Sequence, residues 1–335
     1  IFADFRTLNS FGKNALAVNF LQKSAASTYA YDVKVKISNN AGKTWASVFT
    51  AHTDGTPTEH GFVSMAPASG NRFLAVWLDG RETTQNNQHS AKSHEHHHGT
   101  SHKTMTLRAS FFDTQGKSSQ ATLLDPRVCD CCQTSVAATQ NGFVVAYRNR
   151  SQQEIRDIGY LVYQNGQWGK PKILYPDGWK INGCPVNGPS ISANGNRVAV
   201  AWYTNAQNQP KVKVAFSSDG GQSFDHPIRI DQGNPLGRVA IVALPEGGAI
   251  VVWLEIKETQ TLIQYCRINK NHQPGKTQTI SKTSRSRASG FPQIVVKGKQ
   301  AFIAWTQIKE SPNKSSQKTV KKQINTVILP IKQSK

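Results

Sequence analysis

Acidic residues are in short supply: 20 Asp and Glu stand against 40 Lys and Arg, for a formal net charge of +20. Such a field attracts anionic surfaces such as nucleic acid, lipopolysaccharide or acidic glycans. No nucleic-acid-binding motif accompanies it, so a specific nucleic-acid partner is not expected. The basic residues are spread along the chain and thicken only near a loop at about 308–322, with Lys314, Lys318, Lys321 and Lys322. Long apolar runs are also lacking. None reaches 18 residues, which excludes a membrane-spanning helix. No charged start and apolar stretch opens the sequence at Ile1, so a signal peptide is expected to be absent or already removed. Sustained helical periodicity is missing, which points to an all-β chain. Cysteine is scarce, with five in 335 residues, yet four of the five fall in two short stretches.

What the sequence does contain is a repeat. Six short apolar runs end in an aromatic: "LAVNF" at Phe20, "FLAVW" at Trp77, "FVVAY" at Tyr147, "VAVAW" at Trp202, "AIVVW" at Trp253 and "AFIAW" at Trp305. The intervals are 57, 70, 55, 51 and 52 residues. A Gly- or Asn-containing turn precedes most runs, and before it lies another strand-like segment, as in "GFVSMA", "PSISA" and "RVAIVAL". Alternating strands such as "VKVKIS" and "VKVAFS" follow. Four strands in about 50 residues, six times over, predict a six-bladed β-propeller of four-stranded antiparallel blades in a single domain over 1–335. Blades are expected at roughly 10–55, 56–125, 126–180, 181–231, 232–283 and 284–333, with the two chain ends sharing a blade to close the ring. Runs rich in Val, Ala and Ile suit inner strands buried on both faces.

Two turns carry a family resemblance. "SNNAGKTW" (38–45) and "SSDGGQSF" (217–224) both read Ser-x-Asn/Asp-x-Gly-x-Thr/Ser-aromatic, between the third and fourth strands of a blade. They resemble the Asp box, or BNR repeat, of sialidase-like propellers. In such a box the Asn or Asp bonds backbone N–H groups, Gly takes the positive φ and the terminal aromatic packs into the blade. The box implies a fold and not a reaction. The resemblance implies a pocket on the propeller axis, built from inner-strand starts and second-strand exits. Here those positions supply His60, Cys131, Cys132, Cys184, Asn187 and Arg238, then Asp79, Arg81, Arg148, Arg150, Tyr203 and Glu255.

Three kinds of function are open. Resemblance to sialidases implies an exo-glycosidase for anionic sugars, with arginines clamping a carboxylate, a Tyr nucleophile assisted by Glu and an Asp acid/base. The candidates are Asp79, Arg81, Arg148, Arg150, Glu154, Arg156, Asp157, Arg238 and Glu255. The nearest counterpart of the family's first arginine motif is Phe5-Arg6-Thr7-Leu8, without its proline, and no Tyr–Glu pair is assignable. The same arginines equally suit structural ion pairs with Glu154 and Asp157.

The second function is metal handling. Cys129, Cys131, Cys132 and Cys184 open two adjacent blades, so propeller geometry is expected to bring them to one rim. A disulfide, a copper or zinc thiolate site and a redox-active thiol pair all fit. Cys131 and Cys132 are adjacent, so an extended backbone would point them apart unless it turns. Cys266 alternates with apolar residues and reads as a buried free thiol. Residues 84–103 insert a histidine-rich tract whose His94, His96, His97 and His98, with His60, add imidazole ligands. No organic cofactor is expected. The third function is non-catalytic binding of a glycan or protein. Across these, the expected protein is a periplasmic or secreted monomer whose partner is a transition metal or an anionic small molecule or glycan.

Overall fold

The computed structural model describes residues 7–83, 104–310 and 320–331. Among them the chain forms six sheets in sequence order, the architecture of an all-β, six-bladed propeller of four-stranded antiparallel blades. The first sheet holds β1 (Leu8–Ser10), β2 (Leu16–Lys23), β3 (Tyr31–Ser38) and β4 (Phe49–Thr50). The second holds β5 (His60–Ala68), β6 (Arg72–Asp79), β7 (Thr106–Phe112) and β8 (Thr122–Asp125). The third holds β9 (Ser135–Ala138), β10 (Gly142–Arg148), β11 (Ile158–Gln164), β12 (Gln167–Trp168) and β13 (Lys172–Tyr175), with β12 and β13 both on β11. The fourth runs β14 (Ser190–Asn194), β15 (Arg197–Thr204), β16 (Lys211–Ser217) and β17 (Ile228–Arg229). The fifth runs β18 (Pro235–Ala243), β19 (Ala249–Lys257), β20 (Gln260–Ile268) and β21 (Gln278–Thr283). The last has β22 (Gln293–Lys297), β23 (Gln300–Glu310) and β24 (Val320–Pro330).

By contact density the chain divides into two compact units. The first comprises the described residues up to Ser135 with Tyr147–Arg156 and Asn182–Val186; the second comprises Val136–Ala146, Asp157–Ile181 and the described residues from Asn187 onward. The first has a core of Phe11, Val33, Val35, Phe73, Trp77 and Phe112 among others. The second has several, including one around Trp202 and one around Trp253.

Burial explains the runs. β6, β10, β15 and β19 are buried at nearly every position, so both faces demand apolar side chains and the sequence reads as continuous Val, Ala, Leu and Ile. β2 and β23 alternate instead. Trp77, Trp202 and Trp253 are wholly buried, and truncating any of them to alanine would cost about 3–5 kcal/mol. The buried indole N–H needs an acceptor. Trp77 Nε1 donates to Asp79 Oδ2 at 2.8 Å, Trp253 to Glu255 Oε2 at 2.7 Å, Trp305 to Gln307 Oε1 at 3.2 Å and Trp202 to Asp177 Oδ2 at 2.7 Å. Phe20 departs from the pattern: it is half-buried, while Asn19 is buried and accepts from the Thr7 N–H at 3.1 Å.

The two repeated turns have the same hydrogen bonds. Ser38 Oγ accepts from the Gly42 N–H at 2.8 Å, and Asn40 Oδ1 from the Thr44 N–H at 2.8 Å. Ser217 Oγ accepts from Gly221 at 2.9 Å, and Asp219 Oδ1 from Ser223 at 3.1 Å. Gly42 at φ 86 and Gly221 at φ 89 occupy the left-handed region where a Cβ is strained. Their aromatics differ. Phe224 packs edge-on against Tyr160 at 5.1 Å, whereas Trp45 lies on the surface, contrary to the expectation that both pack into a blade. The expected sharing of one blade by the two chain ends is also absent among the described residues. β24 is the third strand of the last sheet, and β1 belongs to a four-stranded sheet of its own.

Candidate functional site

The thiols converge where the chain turns into β9. Cys129 Sγ lies 3.4 Å from Cys132 Sγ and 3.7 Å from Cys131 Sγ, and the three sulfurs all lie within 4.8 Å of one another. A turn at 130–131 replaces the extended backbone that would have pointed Cys131 and Cys132 apart. The turn is pinned on both sides. The Cys129 N–H donates to Arg148 O at 3.0 Å, and Thr134 Oγ1 donates to Phe62 O at 2.7 Å. Cys184, in the irregular segment between β13 and β14, lies near enough to Cys131 for each thiol to shift the other's ionisation. Access is graded: Cys184 is exposed, Cys131 intermediate, and Cys129 and Cys132 buried. All four are free thiols, as is buried Cys266, whose Sγ lies 3.3 Å from Gly275 O.

The cluster lowers two of its thiols and raises the other two. Hydrogen bonds from Cys131 and Cys132, reinforced by the Arg156 charge, hold Cys129 well below the usual thiol range. Arg156 Nη1 sits 3.1 Å from that sulfur. Cys131 is pushed up by the same hydrogen bonds, and Cys132 chiefly by burial. Cys184 is lowered by the neighbouring Cys131.

Around the thiols lies an arginine network whose centre is already filled. Glu154 takes Arg156 Nη2 at 2.8 Å, Arg150 at 3.0 Å and Arg127 at 3.5 Å. Three guanidiniums therefore converge on an internal carboxylate. Glu154 sits at φ 61, an uncommon conformation for a residue with a Cβ. Arg150 also reaches Asp130 at 3.0 Å, and fully buried Arg148 donates through Nη1 to Arg156 O at 2.6 Å. Asp130, Asp125 and Arg127 had no motif to mark them. Asp130 could have been suspected from its place inside the Cys-Asp-Cys-Cys run.

His60 belongs to a second cluster. It is fully buried, stacks on His52 at a centroid distance of 3.7 Å, and its Nε2 lies 3.2 Å from Asp54 and 3.6 Å from Asp79. Burial pulls its pKa down, but the close Asp54 and Asp79 carboxylates raise it overall. Asp79 also binds Arg81 through both oxygens at 2.7 Å, and Asp54 reaches Arg81 at 3.2 Å. Next to His60, burial and the Asp130 charge push the Glu59 carboxyl up to about 7. Glu59 and Asp130 line a cavity of about 380 Å³ together with Arg150, Thr104 and Tyr29, the last largely exposed.

The remaining candidates serve backbone groups. Asp157 accepts from the Gly178 and Trp179 N–H groups at 3.1 Å. Glu255 Oε1 accepts from the Gln232 N–H at 2.8 Å, and the Arg238 guanidinium donates to Ser289 Oγ at 2.6 Å and Ser286 O at 2.9 Å. His94, His96, His97, His98 and Arg6 lie outside the described residues.

No protein-family model matches the chain, and no curated protein sequence matches it. Its fold is similar to solved structures. A phage phi92 endosialidase matches with TM-score 0.60 and 13% identity over 99% of this chain and 68% of that one. The GH93 α-L-arabinofuranosidase of Fusarium graminearum, solved in complex with arabinobiose, matches with TM-score 0.58 and 11% identity over 97% and 93%. At such identities the likeness shows the fold class: a six-bladed propeller of a kind also found in glycosidases. Among the described residues no helix is long and apolar enough to cross a membrane.

Proposed function

We propose that this sialidase-like propeller binds a soft transition metal, copper(I) or zinc, through Cys129, Cys131 and Cys132, with Cys184 as a fourth ligand. The observation that carries the reading is the approach of three free sulfurs to within 4.8 Å of one another, one of them held by Arg156. Thiolates are the preferred donors of both ions, and a metal lowers the pKa of every thiol it takes. Three thiolates around copper(I) leave two uncompensated negative charges, and around zinc one. Arg156 beside the cluster, with Arg148 and Arg150 near it, supplies counter-charge. Sequence alone adds His94, His96, His97 and His98 as imidazoles for initial capture. The two Asn/Asp turns support placing the fold with Asp-box propellers, and a periplasmic or secreted location suits that kinship.

The test is elemental analysis of protein purified without a metal column. Stoichiometric copper or zinc, lost in Cys129→Ser, is expected. A metal-free protein that takes up neither ion from a buffered supply overturns the reading.

A second reading, action on a glycan, rests on the cavity that joins Glu59, its carboxyl pushed up to about 7, to Asp130 and exposed Tyr29. A carboxylic acid beside a carboxylate is the pair that glycoside hydrolysis uses. The arginines weigh against a sialic acid, since Glu154 already takes the place of a ligand carboxylate. Turnover of fluorogenic glycosides that vanishes in Glu59→Gln would support hydrolysis. Binding on a glycan array without turnover would favour a recognition module, and the absence of both turnover and binding would remove the glycan reading.

A further inference from the structure

We infer that Cys184 and Cys131 form a surface-accessible dithiol that exchanges with low-molecular-weight disulfides of the glutathione-disulfide class. The inference concerns the same side chains as the metal reading but requires no metal. It rests on order of access. Thiol–disulfide exchange needs one sulfur that an outside disulfide can reach, and a second within reach of the mixed disulfide that results. Cys184 alone of the four is exposed, and its neighbour is Cys131, which is only partly covered. Cys129 and Cys132 are buried behind them. Access to the sulfurs thus falls from Cys184 through Cys131 to the buried pair.

The Cys184 thiolate attacks one sulfur of the small disulfide; a protein–glutathione S–S bond forms and glutathione thiolate leaves. Cys131, giving up its proton to solvent, attacks the Cys184 sulfur; the Cys131–Cys184 bond forms and the second glutathione thiolate leaves. Two protein thiols lose two electrons and two protons, and the disulfide becomes two thiols. The bond withdraws Cys131 from the trio, so a metal held there would lose a ligand on oxidation.

The experiment uses the full chain, reduced, stripped with a chelator and exchanged into excess oxidised glutathione. Intact mass spectrometry should show loss of two hydrogens with no lasting adduct, and peptide mapping should place the bond between Cys131 and Cys184. Cys131→Ser should instead accumulate glutathione on Cys184, and Cys184→Ser should form neither product. A chain that stays fully reduced, or a bond mapped to Cys129 and Cys132 that still forms in Cys184→Ser, would overturn the inference. A correct disulfide in a chain that binds no copper or zinc would sink the metal reading and leave this one standing. Metal uptake without disulfide formation would do the reverse.

Discussion

The second and fifth blades are built alike and used differently. In each, the inner strand starts with an irregular register and a non-glycine residue at positive φ: Phe62 at 51° on β5 and Arg238 at 53° on β18. In each, the second strand carries Trp-Leu-acid near its end, and the acid accepts the indole N–H. In the fifth blade that is where the chemistry stops. Glu255 spends its other oxygen on the Gln232 and Asn234 N–H groups. In the second, Asp79 faces His60 and Arg81, with Asp54 beyond. The repeat makes a scaffold with an acid at a fixed place. Function is to be sought where the acid's neighbours exceed what the scaffold requires, which is the blade next to the thiols.

The largest effect expected from breaking this contrast is on metal. Cys129→Ser should lower bound copper or zinc by about tenfold or more, while Glu255→Gln leaves it unchanged; elemental analysis of the two purified variants decides. Stability should separate the two acids next. Asp79→Asn leaves Arg81 and His60 underpaired in a buried setting and should cost about 3–5 kcal/mol in urea unfolding. Glu255→Gln, which only sets a donor against a donor, should cost about 1–2 kcal/mol.

The third effect is on pH dependence. Glu59 keeps its proton in the folded chain up to about 7 but loses it near 4.5 when unfolded. The folded state therefore binds more protons across that interval, and stability falls as pH rises through it. His60, with its pKa raised, adds stability that is complete below about 6.5 and lost above its folded value. The unfolding free energy from urea titration should drop between pH 5 and 8, by roughly 1–3 kcal/mol, with the midpoint falling alongside it, and Glu59→Gln should flatten the lower half of that slope. A midpoint that rises with pH contradicts both assignments. The smallest effect concerns the two repeated turns: Phe224→Ala should destabilise by about 2 kcal/mol and exposed Trp45→Ala by less than about 0.5 kcal/mol.

The blades were legible because doubly buried strands leave no choice of residue. Val198 to Trp202 and Ala249 to Trp253 announce themselves at fixed intervals. The meeting of Cys129, Cys131, Cys132 and Cys184 followed from the blade order, although a strand alone would have separated the adjacent pair. The rest was hidden for a physical reason. Charge pairing across loops has no period, so nothing in the sequence distinguishes Glu154, which gathers three guanidiniums, from Asp157, which caps a turn. His60 looked like a thiol neighbour by its position at a strand start, but its partners are decided by Asp54 and His52, ten residues or fewer upstream in a loop without a motif.

Val186 has a β-branched side chain at φ 50, two residues beyond Cys184. That backbone angle is uphill by about 1–3 kcal/mol for such a residue. Such an angle persists only where the surrounding contacts over-determine it, so it is the neighbours of this segment, and not its own backbone preference, that hold Cys184 where it is.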